Sequence, residues 1–179
     1  FASQLIRLAA RTRQRVVLVS VDLDGLKAID DGFGHSEGDR AILEMAVILR
    51  RCFRESDVVA RFGGDEFVVL ATETESCGAE AALERLAGTL ALRNERGDLP
   101  WRLSASFGWT RIDPQTAPPL AEQLAVADAR MYEAKRAAQA GGAAPAGGPR
   151  ALPAPAAVPA PRSATGGDRE SETAFRRAA

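Results

Sequence analysis

The chain has 179 residues, 46% hydrophobic and 26% charged, with 23 Lys and Arg against 24 Asp and Glu for a net charge of −1. That balance fits a soluble globular core and excludes a broad polybasic face for duplex DNA or an anionic membrane. No apolar run approaches the roughly 20 residues that cross a bilayer. Phe1 opens an Arg-dotted amphipathic stretch rather than a basic-then-apolar leader. With only Cys52 and Cys77, neither a disulfide scaffold nor a cysteine-ligated zinc is expected, and a reducing, cytoplasmic compartment is.

The elements read in chain order as follows. Leu5, Ile6, Leu8 and Ala9 suit one helical face. Arg15–Asp22 is a β-branched run and predicts a strand buried on both faces. Leu26–Phe33 is a short helix. Asp39–Phe53, with Ile42, Ala46, Leu49 and Phe53 at helical spacing, is a longer one, with Asp39 at its start. Val58–Phe62 and Phe67–Ala71 are strands joined by Gly63-Gly64-Asp65-Glu66, a hairpin in which two glycines allow positive φ. Gly78–Arg93 is helical, with Ala81, Leu83, Leu86 and Leu90 apolar. Trp101–Thr110 is a strand turning Trp101, Leu103, Ala105, Phe107 and Trp109 inward. Leu120–Gln139 is the last helix. From the first strand on, the order βααββαβα predicts an α/β sandwich with a mixed, largely antiparallel sheet.

Composition changes near residue 140. In Ala140–Pro161 every residue except Arg150, Leu152 and Val158 is Ala, Gly or Pro. Such a segment has too little apolar bulk to offset an ordering cost of roughly 1–2 kcal/mol per residue. The expectation is a folded domain over 1–139 and a disordered tail over 140–179. The sequence opens at Phe1 rather than Met, so a fragment of a longer protein is expected.

Acid is concentrated beside glycine in three places: Asp22-Leu23-Asp24-Gly25, Gly34-His35-Ser36-Glu37-Gly38-Asp39, and Arg61-Phe62-Gly63-Gly64-Asp65-Glu66-Phe67. Adjacent carboxylates in a turn repel unless a cation lies between them and another group. Asp22, Asp65 and Glu66 with the Leu23 carbonyl suit a hard cation such as Mg²⁺. Asp65 and Glu66 read equally as ordinary turn residues; with Asp22 at the strand end the two readings stand level. Gly25-Leu26-Lys27 at a helix start presents backbone N–H groups to an anion, a weak signal alone.

The string R-F-G-G-D-E-F resembles the signature of the GGDEF family, the diguanylate cyclases. Asp22–Asp31 is similar to that family's D-x-D-x-F-K-x-x-N-D segment. Gly34-His35 with Gly38-Asp39 resembles its G-H-x-x-G-D. Ser106-Phe107-Gly108 resembles its late strand, and Asp128–Lys135 its D-x-x-[LM]-Y-x-A-K helix. The resemblance covers about residues 1–137. It implies a GGDEF/nucleotide-cyclase-like sandwich that condenses two GTP into cyclic di-GMP, releasing pyrophosphate, as a homodimer with one GTP per domain.

By the same resemblance, Asp22, Asp65, Glu66 and the Leu23 carbonyl hold Mg²⁺. Asp65, Glu66 and Lys135 serve the chemistry, with Glu66 supporting metal or hydroxyl deprotonation. The amides of Asp24, Gly25, Leu26 and Lys27 receive the β- and γ-phosphates, helped by the Lys27 and Lys135 charges. A buried Asp39 selects guanine by leaving a mismatched base unpaired, at about 1–3 kcal/mol. Asp30 stands near the base. Arg54 and Asp57, an R-x-x-D five residues before Gly63, resemble an inhibitory product site; a surface ion pair is the plain alternative. His35 is expected to order the loop before Asp39 rather than act as a base.

Three departures bear on function. Asp30 replaces the family's Asn, Leu26 its Phe, and Gln139 stands where the family has a second cation, which Arg136 does not replace. These keep open a non-catalytic receptor for cyclic di-GMP or GTP, and a mixed cyclic dinucleotide product. The family's D-x-L-T-x-L-x-N-R segment does not precede the first helix, so an upstream sensory region is expected.

Overall fold

A computed structural model describes residues 2–73, 78–116 and 119–140. The elements are α1 (Ala2–Thr12), β1 (Val16–Leu23), α2 (Leu26–Phe33), α3 (His35–Cys52), β2 (Val58–Arg61), β3 (Glu66–Thr72), α4 (Ala79–Glu95), β4 (Ala105–Ile112) and α5 (Leu120–Ala140). The four described strands lie in the order β2-β3-β1-β4, and every pairing is antiparallel. Residues of the expected tail beyond Ala140 lie outside the described set.

β1 organises the molecule. All eight of its residues are buried, as a central strand covered on both faces must be. Val17, Val19, Val21 and Leu23 point to one face, into a core with Met45, Ile48 and Leu49 of α3, Leu83, Leu86 and Leu90 of α4, Phe67, Val69 and Trp109. Val16 and Leu18 point to the other, against Leu5 and Ala9 of α1, Ala127 of α5, Val68, Leu70 and Ile112. Continuing the alternation along that second face brings Ser20 and then Asp22 toward α5. The strand therefore grades from apolar to acidic on the α5 side alone.

Several local expectations shift. Leu8 of α1 is 58% exposed; the buried face is Ala2, Leu5 and Ala9. Likewise Ala81 of α4 is exposed, and Ala82 and Ala87 take the buried positions. α3 starts at His35 rather than Asp39. Gly34, at φ 89°, breaks the chain direction after α2, and its carbonyl accepts the N–H groups of Glu37 and Gly38 at 3.0 and 3.3 Å. Asp39 consequently lies past the first turn and is exposed, not buried.

β4 starts at Ala105 rather than Trp101. Asn94 clamps Leu103 instead, its Oδ1 accepting the Leu103 N–H at 2.7 Å and its Nδ2 donating to the carbonyl at 2.8 Å. Trp101 and Leu103 are buried and Ala105 and Phe107 pack against the same core, so the inward alternation holds where the ladder does not.

The approach of α5 to the sheet depends on one residue. A Cβ on Gly108 would overlap the Ala127 carbonyl and the Met131 amide and stand 2.8 Å from Met131 Cα. Gly108 is thus the gap through which α5 crosses β4 at backbone contact.

Candidate functional site

The site forms where the polar end of β1 meets the hairpin and α5. Ala127, Met131 and Lys135 fall at four-residue intervals on α5, a single stripe facing the sheet. Met131 is buried, and next to Ala127 the Asp128 carboxylate accepts a short hydrogen bond from the Ser20 hydroxyl. One turn beyond Met131, Lys135 Nζ lies 2.5 Å from Asp22 Oδ1 and 3.9 Å from Asp24 Oδ1. Only 12% of the Asp22 side chain and 28% of that of Lys135 are exposed.

Asp22 pairs in register with Glu66 of β3 on one side and Ser106 of β4 on the other. The hairpin closes against the same point, with Leu23 N–H donating to the Asp65 carbonyl at 2.9 Å. Gly63 and Gly64 do not use positive φ. Gly63 supplies space: a Cβ there would stand 2.7 Å from Glu66 Oε2, so the Glu66 side chain folds back over the turn. The Arg61 guanidinium braces the bend, donating to the Gly63 carbonyl at 3.1 Å and the Gly64 carbonyl at 2.8 Å.

Burial raises the Asp22 carboxyl above the ordinary aspartate range, with Asp65 and Asp24 adding to it and Lys135 opposing. Burial also raises Glu66, reinforced by Asp128, Asp65 and Asp22. For Lys135, burial is outweighed by its hydrogen bond to Asp22 and by the surrounding carboxylates, and its affinity for a proton rises. The cluster is therefore over-supplied with negative charge, and Lys135 is the cation that offsets it. Among the described residues no three acidic, His or Cys side chains converge as a ready-made cation cage; the close partner of Asp22 is the lysine.

The other expected site residues divide. Gly25, at φ 73°, turns the chain into α2 and leaves the Leu26 and Lys27 amides at the helix start. The Asp24 amide is not part of that anion surface, because it already donates to the Ser104 carbonyl at 2.9 Å. Asp30 packs against Gly38, where any Cβ would overlap its carboxylate, and its Oδ2 lies 3.4 Å from His35 Nδ1. His35 thus opens α3 and pairs with α2; there is no loop for it to order. Asp57 accepts the Arg54 N–H at 2.9 Å and the Thr72 N–H at 3.4 Å, capping the turn before β2, while Arg54 is exposed. Gln139 is exposed one turn beyond Lys135. Arg136 lies over the Tyr132 ring, 6.0 Å from its centroid, away from Asp22.

A family model described as diguanylate cyclase, GGDEF domain, matches residues 1–140. The chain belongs to the GGDEF family. It is 36% identical over 138 residues to the bifunctional diguanylate cyclase/cyclic di-GMP phosphodiesterase MucR of Pseudomonas aeruginosa, covering 77% of this chain and 20% of MucR. The chain thus spans a small part of the curated relatives it matches. Among solved structures, the GGDEF domain of TpbB (YfiN) from Pseudomonas aeruginosa aligns with a TM-score of 0.60 at 32% identity, over 75% of this chain and 84% of that one. A microbial GGDEF domain described in an interaction with cyclic di-GMP aligns with a TM-score of 0.59 at 30% identity, over 76% and 85%. Among the described residues of this GGDEF domain, no helix is long and apolar enough to cross a membrane.

Sequence reasoning did not find the supports of the site. Ser20 holds Asp128, and Ser104 and Ser106 each donate to Asp24 at 2.9 Å. For Ser20 the available signal was a polar residue at an even position of β1, after Val16 and Leu18.

Proposed function

We propose that this GGDEF domain is a diguanylate cyclase, joining two GTP molecules into cyclic di-GMP with release of pyrophosphate. The observation that carries the reading is the meeting of Asp22, Glu66 and Lys135 from three elements at one end of the sheet. Carboxylate and carbonyl oxygens are the donors a hard divalent ion takes, and a cluster short of positive charge favours one. Asp22, Asp65, Glu66 and the Leu23 carbonyl are the groups that would hold Mg²⁺. When bound, the ion would neutralise phosphate charge and favour the 3′-hydroxyl as nucleophile.

The chain's own residues do the rest. The amides of Gly25, Leu26 and Lys27 and the charges of Lys27 and Lys135 orient the β- and γ-phosphates. Glu66, held above the ordinary glutamate range by burial and by neighbouring carboxylates, accepts the proton of the attacking 3′-hydroxyl. The new bond joins that oxygen to the α-phosphorus of the second GTP, and pyrophosphate leaves. Asp39, exposed on α3, is free to accept from guanine N1–H and the 2-amino group, with Asp30 nearby on α2. Two domains face each other for the reaction, so a homodimer is required. Such GTP-consuming chemistry belongs in the cytoplasm. The exposed Arg54, with Asp57, is the proposed inhibitory site for the product.

Incubation with GTP and Mg²⁺, read by mass for cyclic di-GMP, tests the reading. Asp22→Asn is expected to slow turnover by about 10²–10³; product formed at the wild-type rate by that variant would refute the assignment. Calorimetry with cyclic di-GMP on wild type and Arg54→Ala tests the inhibitory site, which equal binding by both proteins removes. One observation favours a second reading, nucleotide binding without turnover: Asp30 is committed to Gly38 and His35 in place of an amide donor to the base. Binding of GTP with no product at high protein concentration would select it.

A further inference from the structure

Lys135 has two carboxylates within reach and sits closer to one. Its Nζ is 2.5 Å from Asp22 and 3.9 Å from Asp24. Asp24 is the more firmly fixed of the pair. Its Oδ2 accepts the Ser104 hydroxyl and its Oδ1 the Ser106 hydroxyl, both at 2.9 Å, and its amide donates to the Ser104 carbonyl at 2.9 Å. Two hydrogen bonds hold the carboxylate and a third holds its backbone, with Oδ1 of that carboxylate 3.9 Å from the ammonium. Ser106 pairs with Asp22 only through the strand backbone, and both serine hydroxyls donate to the Asp24 carboxylate.

We propose that Asp24, held by Ser104 and Ser106, is a second station for the Lys135 ammonium and so a positioning residue that lets Asp22 give up its lysine. The inference rests on the reading above, in which Asp22 takes a divalent cation. A cation arriving at Asp22 meets an ammonium already there. Displacing that ammonium into water, or leaving it beside a divalent ion, costs electrostatic energy. A shift of little more than an ångström toward Asp24 keeps it paired on a lysine stem that rotates freely at its end.

A ligand-free experiment decides the point. Thermal unfolding is followed for the 179-residue chain in wild type, Asp24→Asn, Asp22→Asn and Asp22→Asn/Asp24→Asn, and for the same four with Lys135→Met. Asn keeps the shape of Asp24 and its acceptor for a serine hydroxyl. With Asp22 replaced, Asp24 is the carboxylate left within 4.0 Å of the lysine among the described residues, so Asp24→Asn should lower the melting temperature by about 3 °C more than it does in wild type. That excess should vanish with Lys135→Met. An Asp24→Asn effect that is the same with and without Asp22, or the same with and without Lys135, overturns the proposal.

Calorimetric titration with Mg²⁺ and 3′-deoxyguanosine triphosphate adds a second readout. Asp24→Asn should weaken binding about fivefold when Lys135 is present and less than about twofold when it is Met. An equal loss in both backgrounds marks a general charge effect and refutes the station. Absence of binding by wild type defeats the functional reading, while the unfolding cycle still decides the two-station lysine.

Discussion

Replacing Gly108 with Ala tests the link between packing and chemistry. The added Cβ would overlap the Ala127 carbonyl and the Met131 amide and lie 2.8 Å from Met131 Cα. Ordinary contact begins near 3.4 Å, and the Ala127 carbonyl and Met131 amide would lie closer still than Met131 Cα, so α5 must withdraw by well over about 0.6 Å. The obstacle is helix backbone, which cannot rotate away as a side chain can. Retreat opens the cluster of Leu5, Ala9, Leu18, Val68 and Ala127. Overpacking of this kind costs about 2–4 kcal/mol, or about 5–10 °C in melting temperature.

The same movement carries Lys135 off Asp22, and turnover should fall at least about tenfold in protein that is still folded. Gly88→Ala is the matched control. Gly88 is an exposed position inside α4 with no atom within 4 Å of an added Cβ, and the substitution should stabilise by about 0.5–1 kcal/mol. Scanning calorimetry and the GTP turnover assay read both variants. A Gly108→Ala protein that melts and turns over like wild type refutes the reasoning.

Glu66→Gln should abolish turnover yet raise stability at neutral pH, by less than about 1 kcal/mol after solvent screening. The sign follows from the raised carboxyl: folded Glu66 binds a proton more tightly than the unfolded chain does, so wild type gains stability as pH falls through the raised folded value. The advantage of Gln should therefore be full above that value and vanish below the ordinary glutamate range; melts between pH 7 and pH 4 check it. Arg93, 9% exposed and hydrogen-bonded to both oxygens of Glu44 at 2.8 Å, ties α4 to α3. Arg93→Met should cost about 2–4 kcal/mol in urea unfolding. Its hydrogen bond lowers the Glu44 carboxyl, so wild type loses that stabilisation as pH drops through the lowered folded value, and the variant should have a flatter acid limb.

Much of this domain could be read from short stretches of chain. The β-branched run at Val16–Leu23 can bury both faces only at the centre of a sheet, and it does. Helix starts and stops were harder. Asp39 looks like a cap, but Gly34 begins α3 earlier, because positive φ at that glycine turns its carbonyl toward the next helix. Asn94 supplies Leu103 with two hydrogen bonds in place of strand pairing, a side-chain contact that no periodicity announces.

The amino-acid sequence by itself determined the order of elements, the family signature and the identity of the charged residues, since each depends on neighbours a few positions apart. Tertiary structure alone decided their partners. Lys135 and Asp22 are 113 residues apart, and Ser20 and Asp128 are 108. These pairs meet because β1 turns its even residues toward α5 and because Gly108 lets that helix lie against the sheet. Side-chain distances across a sheet are set by register and close packing, and those are properties of the folded whole.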